Sequence, residues 1–183
     1  MRPILLKGHE RSITVVKYNY DGDLLFTASK DHVPSMWAES GERIGTFNGH
    51  KGTIWDLDVD RFSTRVLTAS ADATCRLWEC STGKCIQNFP HRGPVRGVAW
   101  ADGAQMFATI SDPFVEHNAQ ISIYDVSEDS YNANNQDAPY PDTPRLEIDL
   151  PKDADGKRVN PTNIVFLNLN EALFVTFDNG SIR

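Results

Sequence analysis

One hydrophobic figure returns three times along this chain: an apolar residue, two others, an apolar residue, one other, an apolar residue. Ile13, Val16 and Tyr18 carry it first, Ile54, Leu57 and Val59 next, and Val95, Val98 and Trp100 last. Apolar spacing this dense over six residues suits a short strand covered on both faces. Each is therefore read as the innermost strand of a sheet flanked by neighbouring sheets. A second apolar run follows each one, at residues 24–28, 65–69 and 106–110. Asp21-Gly22 and Asp102-Gly103 lie in the intervening links and supply the positive-φ residues a hairpin wants. The pattern predicts antiparallel meanders, not crossover helices.

A third strand is predicted to end at Trp37 and at Trp78. Fourth strands are predicted at 43–47, 85–89 and 146–150, the first two introduced by turns at Ser40-Gly41 and Thr82-Gly83. The spacing is regular: Gly8-His9, Gly49-His50 and Pro90-His91 stand 41 residues apart, as do Ser29, Ser70 and Ser111, and Thr27, Thr68 and Thr109. A period of that size, with Gly-His near the start of each unit and an aromatic near its end, marks four-stranded β-propeller blades. Trp37 and Trp78 follow their histidines by 28 residues and Tyr124 follows His91 by 33, so about five residues have entered the segment 112–119.

The predicted fold class is thus all-β, with blade units at 9–47, 50–89, 91–150 and 160–183. The fourth unit runs through strands at 163–168 and 173–177 and reaches Ile182 and Arg183 within its third strand. Residues 4–6 read as an outer strand with no inner strands before it. Closed propellers have typically four to eight blades, and an arc of about three and a half leaves two open edges that invite aggregation. The expectation is that the 183 residues form the N-terminal part of a longer propeller.

Composition narrows the function. A net charge of −7 and a pI near 5.1, with no Lys/Arg cluster, argue against direct tight binding of nucleic acid. No apolar run approaches the length of a signal-peptide core or a membrane span, so a cytoplasmic protein is expected. Cys75, Cys80 and Cys85 lie close in sequence but offer three ligands where structural zinc wants four, so no metal is expected. The stretch 127–160 breaks the repeat. Its part from Ser127 to Arg158 holds eight acidic and four basic residues, with four prolines from Pro139 to Pro151. That composition predicts a mobile acidic, Pro-rich surface loop interrupted by one strand.

His9, Ser29 and Asp31, repeated as His50, Ser70 and Asp72, contain the residue types of a nucleophile, its base and an orienting acid. Two copies in successive blades cannot converge on one substrate. A repeated buried hydrogen-bond network answers the repetition better: the histidine bridges a second-strand hydroxyl and the aspartate, with the indole N–H of Trp37 or Trp78 as a further donor. The hydroxyl is Ser29 and Ser70, or else Thr27 and Thr68. In the third unit Pro113 falls in the aspartate slot by count and Asn118 once the insertion is allowed for; Asn179 takes that slot in the fourth. No catalytic group, phosphate loop or cofactor site is predicted, so the chain is not expected to be an enzyme.

The Gly-His, Ser-x-Asp and Trp pattern resembles the WD40 repeat family, with the terminal pair varied as Trp37-Ala38, Trp78-Glu79 and Tyr124-Asp125. The stretch from Leu5 to Thr14, with Lys17-Tyr18-Asn19, Lys30-Asp31, Gly41-Glu42-Arg43 and Gly52-Thr53-Ile54-Trp55, is similar to the i-subunit family of eukaryotic translation initiation factor three. The resemblance implies a seven-bladed, non-catalytic scaffold that docks the b and g subunits and joins their assembly, and mRNA, to the small ribosomal subunit. The alternative is a WD-repeat adaptor elsewhere, in signalling or as a ubiquitin-ligase receptor. Independently of that likeness, Glu10 and Arg11 beside the first Gly-His, and Trp55 and Asp56 in the second inner strand, are the candidate partner contacts. Against this, Trp55 also suits packing between blades, and Glu10 and Arg11 suit a solvated rim.

Overall fold

The computed structural model describes residues 3–132, 135, 139–167 and 170–182. Asn168 and Arg183, expected in strands of the fourth unit, lie outside them. The first sheet is built from β1 (Ile13–Tyr18), β2 (Leu24–Ser29), β3 (Ser35–Ala38) and β4 (Arg43–Thr46), in that order. The second holds β5 (Ile54–Val59), β6 (Arg65–Ser70), β7 (Thr74–Glu79) and β8 (Cys85–Pro90). The third holds β9 (Val95–Trp100), β10 (Met106–Ser111), β11 (Gln120–Asp125) and β12 (Leu146–Asp149). The fourth pairs β13 (Pro161–Leu167) with β14 (Ala172–Phe177), and Ile182 adds one antiparallel bridge to Thr176. All are antiparallel meanders, as the pattern predicts. The hairpin glycines Gly22 and Gly103 have φ of +80° and +87°; in the second sheet, where no glycine stands, Ser63 takes +56°.

The inner strands β1, β5, β9 and β13 lie side by side in chain order, so the sheets fan about one axis as propeller blades do. Alternate side chains of one strand serve two seams. In β6, Val66 joins Phe26, Phe47, Leu57 and Trp78 between the first two sheets, while Leu67 and Ala69 join Phe89, Val98 and Phe107 between the second and third. Ile110, Ile121, Ile164 and Val175 fill the seam beyond.

Three expectations need correction. In β1, Ile13, Val16 and Tyr18 are 54%, 55% and 64% exposed, because within these 183 residues a sheet packs against one side of β1 only; the expected cover on both faces is seen in β5, where Ile54 and Leu57 are fully buried. Residues 4–6 form no strand, and Ile4 lies against Gly41 at the first sheet's surface. The acidic insertion is anchored, not merely mobile. The Gln87 amide accepts from the Tyr140 N–H and donates to the Tyr140 carbonyl, both at 2.7 Å. Tyr140 in turn packs on the core between the second and third sheets and meets Tyr131 edge-on. A buried side-chain amide thus pairs with main chain as a further strand would.

Candidate functional site: three buried histidine relays

In the second sheet the Trp78 indole N–H donates to Thr68 Oγ1 at 2.8 Å, Thr68 Oγ1 lies 2.6 Å from His50 Nε2, and His50 Nδ1 lies 2.8 Å from Asp72 Oδ2. One assignment of hydrogens satisfies every member: the threonine hydroxyl donates to Nε2 and the Nδ1–H donates to the carboxylate. The first sheet repeats this through Trp37, Thr27, His9 and Asp31 at 2.7, 2.6 and 2.8 Å. Of the two hydroxyls left open by the sequence, threonine is the hub. Ser29 and Ser70 instead accept from the N–H of Asp31 and Asp72, at 2.9 and 3.2 Å, and so hold the turn that presents the carboxylate. The Asp72 carboxylate also accepts from the Lys51 N–H and the Thr74 hydroxyl. Burial opposes its charge, but the hydrogen bonds from His50 and Thr74 outweigh this and hold it below the usual carboxylate range. Asp31 is likewise lowered.

The glycine of each Gly-His has a steric origin. A Cβ at Gly49 would strike the Arg76 guanidinium and the Trp78 ring, and one at Gly8 would strike Arg43 and Trp37. In the third sheet His91 Nε2 meets Thr109 Oγ1 at 2.8 Å, but Nδ1 donates to the Phe89 carbonyl at 3.0 Å. Neither Pro113 nor Asn118 supplies the missing acid; Asp112 pairs with Arg96 instead. Lacking a carboxylate, the enclosed His91 is pushed down to about 4 by burial. In the fourth sheet the strand register puts Val175 and Phe177 where the earlier sheets have threonine and serine. Asn179 keeps only the turn, accepting from the N–H and hydroxyl of Ser181.

The Thr-His-Asp geometry is that of a catalytic triad, yet Thr68 is fully buried and committed to Trp78, so no substrate can reach its oxygen. Of the candidate partner contacts, Glu10 and Arg11 are exposed. Asp56 is turned inward: its Oδ2 accepts from the Val98 N–H of β9 at 3.1 Å, and burial pushes its carboxyl up to about 6. Trp55 is half-buried under the guanidinium of Arg96. Sequence reasoning missed the partners of Asp56. Asp58 accepts from the Trp100 N–H at 2.7 Å and pairs with Lys17 of β1 at 2.9 Å, while Thr14 donates to the Ile54 carbonyl, so carboxylates and a hydroxyl tie consecutive inner strands. Their sequence signal was the alternation of two acids within an apolar strand.

The three cysteines are free thiols; burial pushes Cys75 well up and Cys80 up to about 12. Among the described residues no cluster of His, Cys, Asp and Glu could hold a metal ion, and no helix is long and apolar enough to cross a membrane.

The family described as WD domain, G-beta repeat matches residues 3–37 and 41–79, the first two relay-bearing units. The chain thus carries WD40 repeats, built as four antiparallel sheets fanned about one axis in the manner of propeller blades. Its relatives are more particular: it is similar to proteins named Eukaryotic translation initiation factor 3 subunit I. The Xenopus laevis protein is 39% identical and the Taeniopygia guttata protein 43% identical, each over all of this chain and 53% of its own length. That of Scheffersomyces stipitis is 43% identical over 84% of this chain and 43% of its own length. The chain spans about half the length of the curated relatives it matches.

Proposed function

We propose that this chain serves as a non-catalytic scaffold within eukaryotic translation initiation factor three, docking the b and g subunits in the cytoplasm and helping to assemble the pre-initiation complex on the small ribosomal subunit. The reading is carried by similarity to subunit I along the whole chain at 38–43% identity in the vertebrate relatives. The relays support it, since each oxygen that resembles a nucleophile is spent inside a sheet. Stiff sheets with exposed loops suit a platform better than a reaction chamber. The Glu10 and Arg11 rim is the surface here to test first for partner contact.

The experiment is affinity capture of the protein from cell extract, in the longest form its coding sequence provides. Recovery of the b and g subunits and small-subunit ribosomal proteins is expected. Capture of signalling or ubiquitin-ligase components without them would instead place the chain among adaptors of another complex.

A further inference from the structure

Proline stands ten times in this chain, and a hydroxyl residue precedes it only at Thr143-Pro144. The pair lies in the acidic insertion, where Pro141 adds a second proline two residues before the threonine. Three aliphatic hydroxyls occur between Val126 and Asn160, at Ser127, Ser130 and Thr143, and they are unequally occupied. Ser127 Oγ donates to Asp125 Oδ1 at 2.6 Å, and Ser130 Oγ donates to the Ser127 carbonyl at 2.8 Å. The exposed Thr143 hydroxyl has no hydrogen-bond partner among the described residues.

The main chain around Thr143 is equally uncommitted. No described residue from 131 to 145 lies in a helix or strand, and Pro141 and Pro144 carry no N–H. The span is fixed at its two ends: Tyr140 pairs with the Gln87 amide, and the Arg145 N–H donates to the Ile123 carbonyl at 2.7 Å. Between those anchors residues 141–144 make no main-chain hydrogen bond to the described residues. They can enter another protein's groove without breaking one.

We propose that Thr143 is a phosphorylation site for a proline-directed protein kinase. In that step the Thr143 oxygen bonds to the γ-phosphorus of ATP, the bond from that phosphorus to the β-phosphate breaks, ADP leaves, and the hydroxyl proton passes to the kinase's base. Pro144 selects the class of kinase. A groove with no acceptor just after the target hydroxyl admits proline without loss and strands the N–H of any other residue. Proline also biases the residue before it toward extended backbone, the form a substrate groove holds. The product places close to two further negative charges three residues from the Tyr140 anchor, in a segment already acidic. The site adds a point of regulation to the scaffold reading and does not depend on it.

The test incubates the purified protein with ATP, magnesium and an active mitogen-activated protein kinase, a proline-directed enzyme. Intact mass reads the phosphate incorporated, and fragmentation locates it. Modification at Thr143 is expected, kept in Thr143→Ser and abolished in Thr143→Ala, while Pro144→Ala should slow the initial rate about tenfold. The Thr143 hydroxyl is unpartnered among the described residues, so Thr143→Ala should keep its melting temperature, and its loss of phosphate would not be a folding defect. A synthetic peptide of residues 139–147 supplies the reference rate. Undiminished incorporation in Thr143→Ala, a Pro144→Ala rate equal to that of the parent chain, or a peptide that is modified while the folded protein is not would each overturn the proposal. Failure of both peptide and protein to accept phosphate would do the same. Since no initiation-factor component enters the assay, failed subunit capture would leave a positive result standing and refute only the functional reading.

Discussion

Replacing Thr68 by valine exchanges one hydroxyl for a methyl group of similar shape at a fully buried site. That hydroxyl accepts from Trp78 Nε1 and donates to His50 Nε2, so the exchange strands one donor and one acceptor together. Each unsatisfied buried group costs about 1–3 kcal/mol. Allowing for partial relaxation and the gain from a buried methyl of about 1 kcal/mol, Thr68→Val should destabilise the protein by about 2–4 kcal/mol. Ser70→Ala is the comparison: Ser70 is equally buried, but its two contacts, with the Asp72 N–H and the Gly52 carbonyl, are longer at 3.2 Å and involve main chain of half-buried residues that water can serve instead, so about 1 kcal/mol is expected. Urea unfolding followed by tryptophan fluorescence measures both. A Thr68→Val loss below about 0.5 kcal/mol, or a loss no larger than that of Ser70→Ala, would refute the relay as the organising contact of the sheet.

His91, held near 4, binds its proton more readily in the unfolded chain, whose imidazole titrates near 6.5. Its contribution is therefore present above that value and lost as pH falls to 4, about 3 kcal/mol in all; urea midpoints across this range should fall less steeply in His91→Gln. Asp56 has the opposite sign: with its folded value near 6 and its unfolded value near 3.8, stability is fully present below 3.8 and lost as pH rises through 6. Asp56→Asn keeps an acceptor for the Val98 N–H but gives up the oxygen that accepts from the Leu57 N–H at 2.9 Å, so above pH 6 it should raise stability by about 1 kcal/mol, and the slope between pH 4 and 6 should flatten. Gln87→Ala removes both hydrogen bonds that hold Tyr140, and trypsin should cut the insertion at Arg145 several-fold faster with little change in melting temperature.

The sheets were legible because one strand pattern recurs at a fixed period, and the strand bounds differ from expectation by a residue or two. The hub of the relay was not. Thr68 and Ser70 are two residues apart and share a face of β6, so alternation cannot separate them; only the position of His50 along the strand does. In the third sheet counting led to Pro113 and Asn118, yet the Phe89 carbonyl meets His91, a group that every residue carries and no motif advertises. The Gln87 and Tyr140 pairing was invisible for a related reason: its partners are 53 residues apart, and local composition around Tyr140 reads as disorder. Asp56 stood only as a candidate partner contact and Asp58 drew no reading: the alternating acids of β5 mark the strand as unusual, but β5 alone does not reveal that the neighbouring strand turns two amides toward them.

The first two relays each close within their own sheet, from indole to carboxylate, whereas the third reaches back to the Phe89 carbonyl of β8 in the second sheet. Damage to either complete relay is consequently contained: it leaves the neighbour's relay whole, and the neighbour feels it through the apolar seam and the ties between inner strands. Such modularity explains how the third unit can do without an acid, and the fourth without threonine or serine, while the architecture persists. It also ranks the units by cohesion, so that on gradual warming the fourth should loosen first and the second should hold out longest.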